Sequence, residues 1–215
     1  MTNFTGNIAR RVLNLFGYWS GKSNSSCNSE EIPGSKMNRG ITNSKRKIHY
    51  GCGSNLLEGW LNVDLHPRAE KNYISLIFDL TAPHPFPENW FEFGFSEDFI
   101  EHLSQADSII FLSEVYRTFK PGGILRLSFP GLEGVLKKHY KNSDYKSALK
   151  GKKEAYIMWE HLHFYSKEEL LLVCKHIGFK EINFVEYGKS IHDDLKNLDA
   201  REDQIDLNIY VEITK

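Results

Sequence analysis

From residue 45 onward, short strand-like runs alternate with segments of helical period, and this alternation restricts the chain to an α/β fold with a largely parallel sheet. "KRKIHY" (45–50), "WLNVDL" (60–65) and "SLIFDL" (75–80) are short apolar runs that each stop at Gly, Asp or the residue beside it, and "FEFGFS" (91–96) is a fourth. After Ser104, the apolar positions Ala106, Ile109, Leu112, Val115, Tyr116 and Phe119 follow a helical period that stops at Pro121-Gly122-Gly123. "GILRLSFP" (123–130) is the fifth strand. Ser166 with Glu169 forms a capping box ahead of "LLLVCKHIGF", and Gly178 stands where that helix ends. "FKEINFVEYG" (179–188) and "LNIYVEITK" (207–215) have no helical segment between them, which predicts an antiparallel pair. Residues 51–59 and 66–74 are short for parallel crossovers, so either the helices there shrink to a turn or the strand limits differ by a few residues.

The first 44 residues have another character. Ile8, Val12, Leu15, Phe16 and Trp19 recur at helical spacing with Arg10 and Arg11 on another face, which describes an amphipathic helix within 1–19. A surface docked on the domain or a second subunit accounts for it, and so does a peripheral membrane contact through residues 8–19. Residues 20–44 are rich in Ser, Asn and Gly and poor in large apolar side chains, the composition of a flexible linker. The domain proper is then 45–215. With 27 Lys+Arg against 28 Asp+Glu, the whole chain exerts no pull on nucleic acid. Three cysteines without metal-ligand spacing, and no membrane-length apolar run, point to a cytoplasmic protein with unpaired thiols.

Gly51 and Gly53 follow the first strand, where a turn brings bare backbone N–H groups close to a ligand. A tight turn alone also needs glycine, so the pair gains meaning from Asp64 at the end of the next strand, where a carboxylate accepts ribose hydroxyls. Gly51, Asp64, Asp79 and Ser96 all fall at the carboxyl ends of strands, the edge at which open α/β sheets bind ligands. A dinucleotide fingerprint would add a third glycine and place the acid about twenty residues further on. Here the glycine is missing and the acid arrives early.

The ordered elements "FDLTAPHPF", "FSEDFIEHL" and "LSEVYRTFKPGGILRLSFP" decide between nucleoside ligands. In that order they resemble the class I S-adenosylmethionine-dependent methyltransferases, in the small single-domain, type 11-like branch. The resemblance covers residues 46–130 closely and the tail through "HFYSKEELLLVCKHIGF" more loosely. It implies a Rossmann-like, seven-stranded, mostly parallel sheet with an antiparallel C-terminal strand and helices on both faces. It also implies S-adenosyl-L-methionine as cofactor, with Tyr50, Gly51, Cys52 and Gly53 against its methionine and ribose, Asp64 on the ribose hydroxyls and Asp79 with Leu80 at the adenine. The segment from Ser96 to His102 lines the transfer site in such enzymes, and Lys120-Pro121-Gly122-Gly123 is a structural turn. His49 departs from the pattern, since an acidic residue usually stands two positions before the first glycine.

Methyl transfer to a hydroxyl benefits from a general base, and histidine suits neutral pH. His102 and His163 are the candidates, with His161 behind them because alternation in an extended segment lets only one of the pair face the site. No metal is expected, because no third ligand has motif spacing with His161 and His163. Residues 131–160 occupy the acceptor-recognition region and carry Lys137, Lys138, Lys141, Lys146, Lys150, Lys152 and Lys153. Such a run is a solvated helix face or an attraction for an anionic acceptor. The expected reaction is O-methylation of a small-molecule or sugar-type acceptor. The alternative is an inactive cofactor-binding protein that serves as a partner subunit.

Overall fold

A computed structural model of the chain describes residues 45–65, 73–142 and 144–215. The predicted helix within 1–19 and the linker 20–44 lie outside the described residues.

Seven strands form one sheet: β1 (Lys47–Tyr50), β2 (Leu61–Asp64), β3 (Ile74–Ile77), β4 (Phe91–Glu97), β5 (Phe119–Pro130), β6 (Glu181–Phe184) and β7 (Asn208–Thr214). Their order is β3-β2-β1-β4-β5-β7-β6. The pairs from β3 to β5 are parallel, while β7 runs antiparallel to both β5 and β6. The Rossmann-like sheet and its antiparallel C-terminal strand therefore stand as the sequence indicates. With β1 to β4 parallel and adjacent, their carboxyl ends share one edge.

The short crossovers resolve in a specific way. Residues 51–60 join β1 to β2 with turns and no helix, and β3 ends at Ile77, so Asp79 and Leu80 lie in the loop after it. The Lys120–Gly123 element also differs from the expected turn. Helix α1 (Gln105–Thr118) passes directly into β5, Phe119 pairs with Phe91, and a register shift follows before Ile124 pairs beside Phe93. Gly122, at φ +81°, takes up that irregularity. The glycines make a bulge at the start of a strand, where an ordinary residue would strain.

Alternation along the strands sorts two faces. Ile48, Tyr50, Leu61, Val63, Leu125, Leu127, Val211 and Ile213 join one apolar core with Phe111, Leu112 and Val115 of α1 and with Leu170 and Cys174 of the helix Lys167–Ile177. Ser104 caps α1 by accepting from the Asp107 amide at 3.1 Å. Its buried face is Ser108, Phe111, Leu112 and Val115; Ile109, expected inside, is exposed and Phe119 belongs to β5. The opposite face buries Trp60, Phe95, Ile124 and Leu195 together with polar side chains. Among the described residues its cover is extended chain and a single 3₁₀ turn, Asp193–Leu195, in place of a long helix. Arg126 on that face is fully buried, and its guanidinium donates to Asp199, to Glu212 and to the Lys189 and Glu186 carbonyls. One side chain thus joins β5, β7 and the loop after β6.

Between β5 and β6 come α2 (Leu132–His139), α3 (Tyr145–Lys153) and α4 (Lys167–Ile177). Asp144 caps α3 by accepting from the Ser147 amide at 2.9 Å, and the helix continues into a π-turn at Glu154–Met158. Ser166 caps α4, and Gly178 at φ +117° ends it, as the capping box indicated. Val135, Ala155 and Phe164 pack these elements into a separate small cluster.

Candidate active site

The turn after β1 is held to the end of β2. The Cys52 amide donates to the Val63 carbonyl at 3.1 Å, and the Gly53 amide donates to Asp64 Oδ2 at 2.9 Å. Gly51 and Gly53 both have positive φ, +61° and +49°. They differ in what surrounds them. A Cβ on Gly51 would lie 2.7 Å from the Phe99 ring, whereas a Cβ on Gly53 would meet no atom of the described residues within 4 Å. Gly51 is therefore packed against the loop that follows β4, and Gly53 turns its bare face to open space beside a carboxylate.

The other predicted cofactor residues take distinct positions. Tyr50 and Leu80 have their side chains in the main core, and Cys52 is buried with its thiol pushed up to about 12 by burial. These three have only backbone to present at the edge. Asp79 is exposed and accepts from both the amide and the hydroxyl of Thr81, at 2.8 and 2.7 Å, which fixes the turn after β3. Ser96 is buried at the end of β4 with no hydrogen-bond partner for its hydroxyl.

His49 is turned away from that edge, onto the polar face of the sheet. Its Nδ1 donates to Asn62 Oδ1 at 3.3 Å and its ring lies 5.1 Å from that of Phe95. Burial lowers its pKa to about 4, so the imidazole is neutral. Asn62 is the hub: its amide also serves Leu57 in both directions, at 2.8 and 3.1 Å. His49 is thus a structural partner of the 57–62 loop.

A cavity of about 790 Å³ opens beyond β4, between the loop carrying Glu101 and His102, helix α2 and the π-turn. His102 and His161 meet on its wall with ring centroids 4.8 Å apart, edge to face. Burial lowers both pKa values, that of His161 to about 4 with help from His102, so both rings are neutral. Between the β4 end and His102 lies Glu101, fully buried, with neither carboxylate oxygen hydrogen-bonded and its pKa raised well above the usual range by burial. Its own carbonyl accepts from the Leu162 and His163 amides at 2.7 and 3.2 Å, which ties the two histidine-bearing loops together. Lys137, Lys138, Lys141 and Arg201 also line it, together with Asp98, Glu154, Asp203 and Asp206.

His163 does not line this cavity. Its Nε2 is 3.0 Å from Glu169 Oε1 and its ring stands against Tyr165 at 4.6 Å. The extended "HLH" segment puts one histidine on each side, and the one that joins His102 is His161. Glu101 is the residue that sequence reading passed over, although it is the first letter of the Glu-His-Leu element. The lysine-rich α3 forms a more open depression of about 910 Å³ with Tyr145, Leu149, Ile157 and Met158, apart from these groups. Among the described residues no helix is long and apolar enough to cross a membrane.

Residues 49–127, which include the glycine turn, Asp64 and Glu101-His102, match the methyltransferase domain family. The structure is similar to a SAM-dependent methyltransferase from Archaeoglobus fulgidus, at 15% identity over 84% of this chain and 92% of that one, with a TM-score of 0.51. It is similar to an S-adenosylmethionine-dependent methyltransferase from Mesorhizobium loti, at 14% identity over 79% and 90%, TM-score 0.52. It also resembles the Haemonchus contortus phosphoethanolamine N-methyltransferase 2 in complex with S-adenosyl-L-methionine, at 15% identity over 83% of this chain and 52% of that one, TM-score 0.52. At these identities the likeness is one of fold. A comparison with curated protein sequences finds no significant match.

Proposed function

We propose that this class I S-adenosylmethionine-dependent methyltransferase O-methylates a small, polar, anionic acceptor seated in the 790 Å³ cavity. The observation that carries the cofactor half is the pairing of Gly53 with Asp64: an amide held by the carboxylate at 2.9 Å, and a glycine face that no atom of the described residues approaches. That bare face and carboxylate suit the methionine and ribose parts of S-adenosyl-L-methionine. When bound, the cofactor supplies an electrophilic methyl on a sulfonium.

The chain's own part is to hold the acceptor oxygen in line. Positioning at about 3 to 3.5 Å accounts for roughly 7 to 11 kcal/mol of a barrier of this type. Neutral His102 and His161 face the acceptor without repelling the sulfonium charge, and we assign them the orientation of its hydroxyl. Lys137, Lys138 and Lys141 favour an acceptor that carries phosphate or carboxylate, such as a phosphorylated or nucleotide-linked sugar.

The test is incubation with methyl-labelled S-adenosylmethionine and a cell extract, with mass spectrometry of the labelled product. Label in an anionic hydroxyl compound supports the reading. Cofactor binding by calorimetry without transfer to any product would instead favour the partner-subunit reading, and no cofactor binding would sink both.

A further inference from the structure

We propose that Glu101, His102 and His161 form a binding site for one divalent transition-metal ion of the zinc type, with an open coordination position on the acceptor cavity. Each of these side chains offers one ligand atom, and the three atoms lie within 4.8 Å of one another. His102 Nε2 and Glu101 Oε1 are 4.0 Å apart. A tetrahedral ion with bonds of about 2.0–2.2 Å sets its ligands roughly 3.3–3.6 Å apart, so small side-chain rotations close the set. Two imidazoles and a carboxylate, with one position left for water or substrate, is a donor set typical of reactive zinc sites.

The second observation is what these groups lack. Glu101 is fully buried, yet neither carboxylate oxygen has a hydrogen-bond partner, and buried His161 Nδ1 has none either. Uncompensated burial of such groups is costly, and coordinating a cation satisfies both residues at once. Glu97 and Asp98 act on Glu101 from the end of β4 and Arg201 opposes them, while Lys137, Lys138 and Lys141 also line the cavity.

The site is assembled from two loops, Glu101-His102 after β4 and His161 after the π-turn, and Glu101 ties them through its own carbonyl. This arrangement deepens the reading of the cavity as the acceptor site: an ion there would bind the acceptor oxygen directly and favour its deprotonated form. Ion binding itself does not depend on that reading.

The experiment titrates the full-length, metal-stripped chain with Co²⁺, followed by visible absorption, and with Zn²⁺, followed by calorimetry. The expected result is one ion per chain with the intense d–d bands of four- or five-coordinate cobalt, displaced by Zn²⁺. Glu101→Gln and His161→Ala each weaken binding by tenfold or more, and His163→Ala leaves it unchanged. Substoichiometric uptake, octahedral bands, or affinity unaltered in both Glu101→Gln and His161→Ala overturns the proposal. A thermal melt of the unsubstituted chain guards against misfolded variants: the melting temperature rises with Zn²⁺, and its failure to rise also overturns the proposal. Calorimetry with S-adenosylhomocysteine, run separately, tests the methyl-donor reading without reference to the ion.

Discussion

Gly51 stands against Phe99 so closely that a single added carbon would lie 2.7 Å from the ring. The turn after β1 is thus packed onto the loop that leads to Glu101 and His102. Gly51→Ala adds this overlap to the strain of φ +61°, and we expect a loss of about 2–4 kcal/mol in denaturant unfolding. Shortening the ring with Phe99→Leu in the same chain should restore part of it, a coupling that distant sites would not show.

Gly53 separates stability from binding. Its φ of +49° costs an alanine about 1–2 kcal/mol, but its face is open. Gly53→Ala should therefore fold with a modest loss while affinity for S-adenosylhomocysteine drops at least tenfold by calorimetry. Equal affinities would mean that the donor lies elsewhere.

Two histidines a residue apart should behave differently. His161→Ala removes a group on the cavity wall that orients the acceptor and is expected to lower turnover by up to roughly 10²-fold. His163→Ala removes a partner of Glu169 and should leave turnover within about threefold. The comparison needs only one acceptor found by the labelling experiment.

His49 makes a prediction about pH. Its folded pKa is about 4 against 6.5 for the free side chain, so the unfolded chain binds a proton first as pH falls. The stabilisation is complete above pH 6.5 and is lost down to pH 4, about 3 kcal/mol over the window. His49→Gln keeps a donor for Asn62 and should flatten that limb relative to the unsubstituted chain, as read from urea midpoints at pH 7 and pH 4.5.

Arg126→Met leaves Asp199 and Glu212 buried without their cation. Breaking a buried ion network from one side costs about 3–5 kcal/mol. Adding Asp199→Asn and Glu212→Gln to the same chain should recover part of the loss, which a simple packing defect would not allow.

Much of this site was legible because its signals are local. Gly51, Gly53 and Asp64 stand within one strand-turn-strand unit, and their spacing already excluded a dinucleotide fingerprint. The cap at Ser166 was equally readable, since a cap needs only the residues of one turn. What the sequence hid are choices of side. "HLH" says that His161 and His163 diverge, but only the packing of His163 on Tyr165 shows which one joins His102. Glu101 gave no sign of burial, because a charged residue in a short turn is ordinarily solvated. The Lys120–Gly123 element reads as a stop signal from its proline and glycines, yet in the structure it is absorbed as a strand irregularity between Phe119 and Ile124. Arg126 was invisible for another reason: Asp199 lies 73 positions away, and no period connects them.

The sheet order carries a consequence for when the domain can exist at all. Ile48 pairs with Leu61 across a short, helix-free link, so the first parallel ladder closes a small loop and can form early. The slot between β5 and the edge strand β6 is filled by β7, where Ile124 pairs with Thr214. Until β7 is synthesised, then, the sheet has a gap beside its longest strand. Arg126 waits for Glu212 over the same interval, and nascent chains stalled before β7 should present an open β5 edge to chaperones.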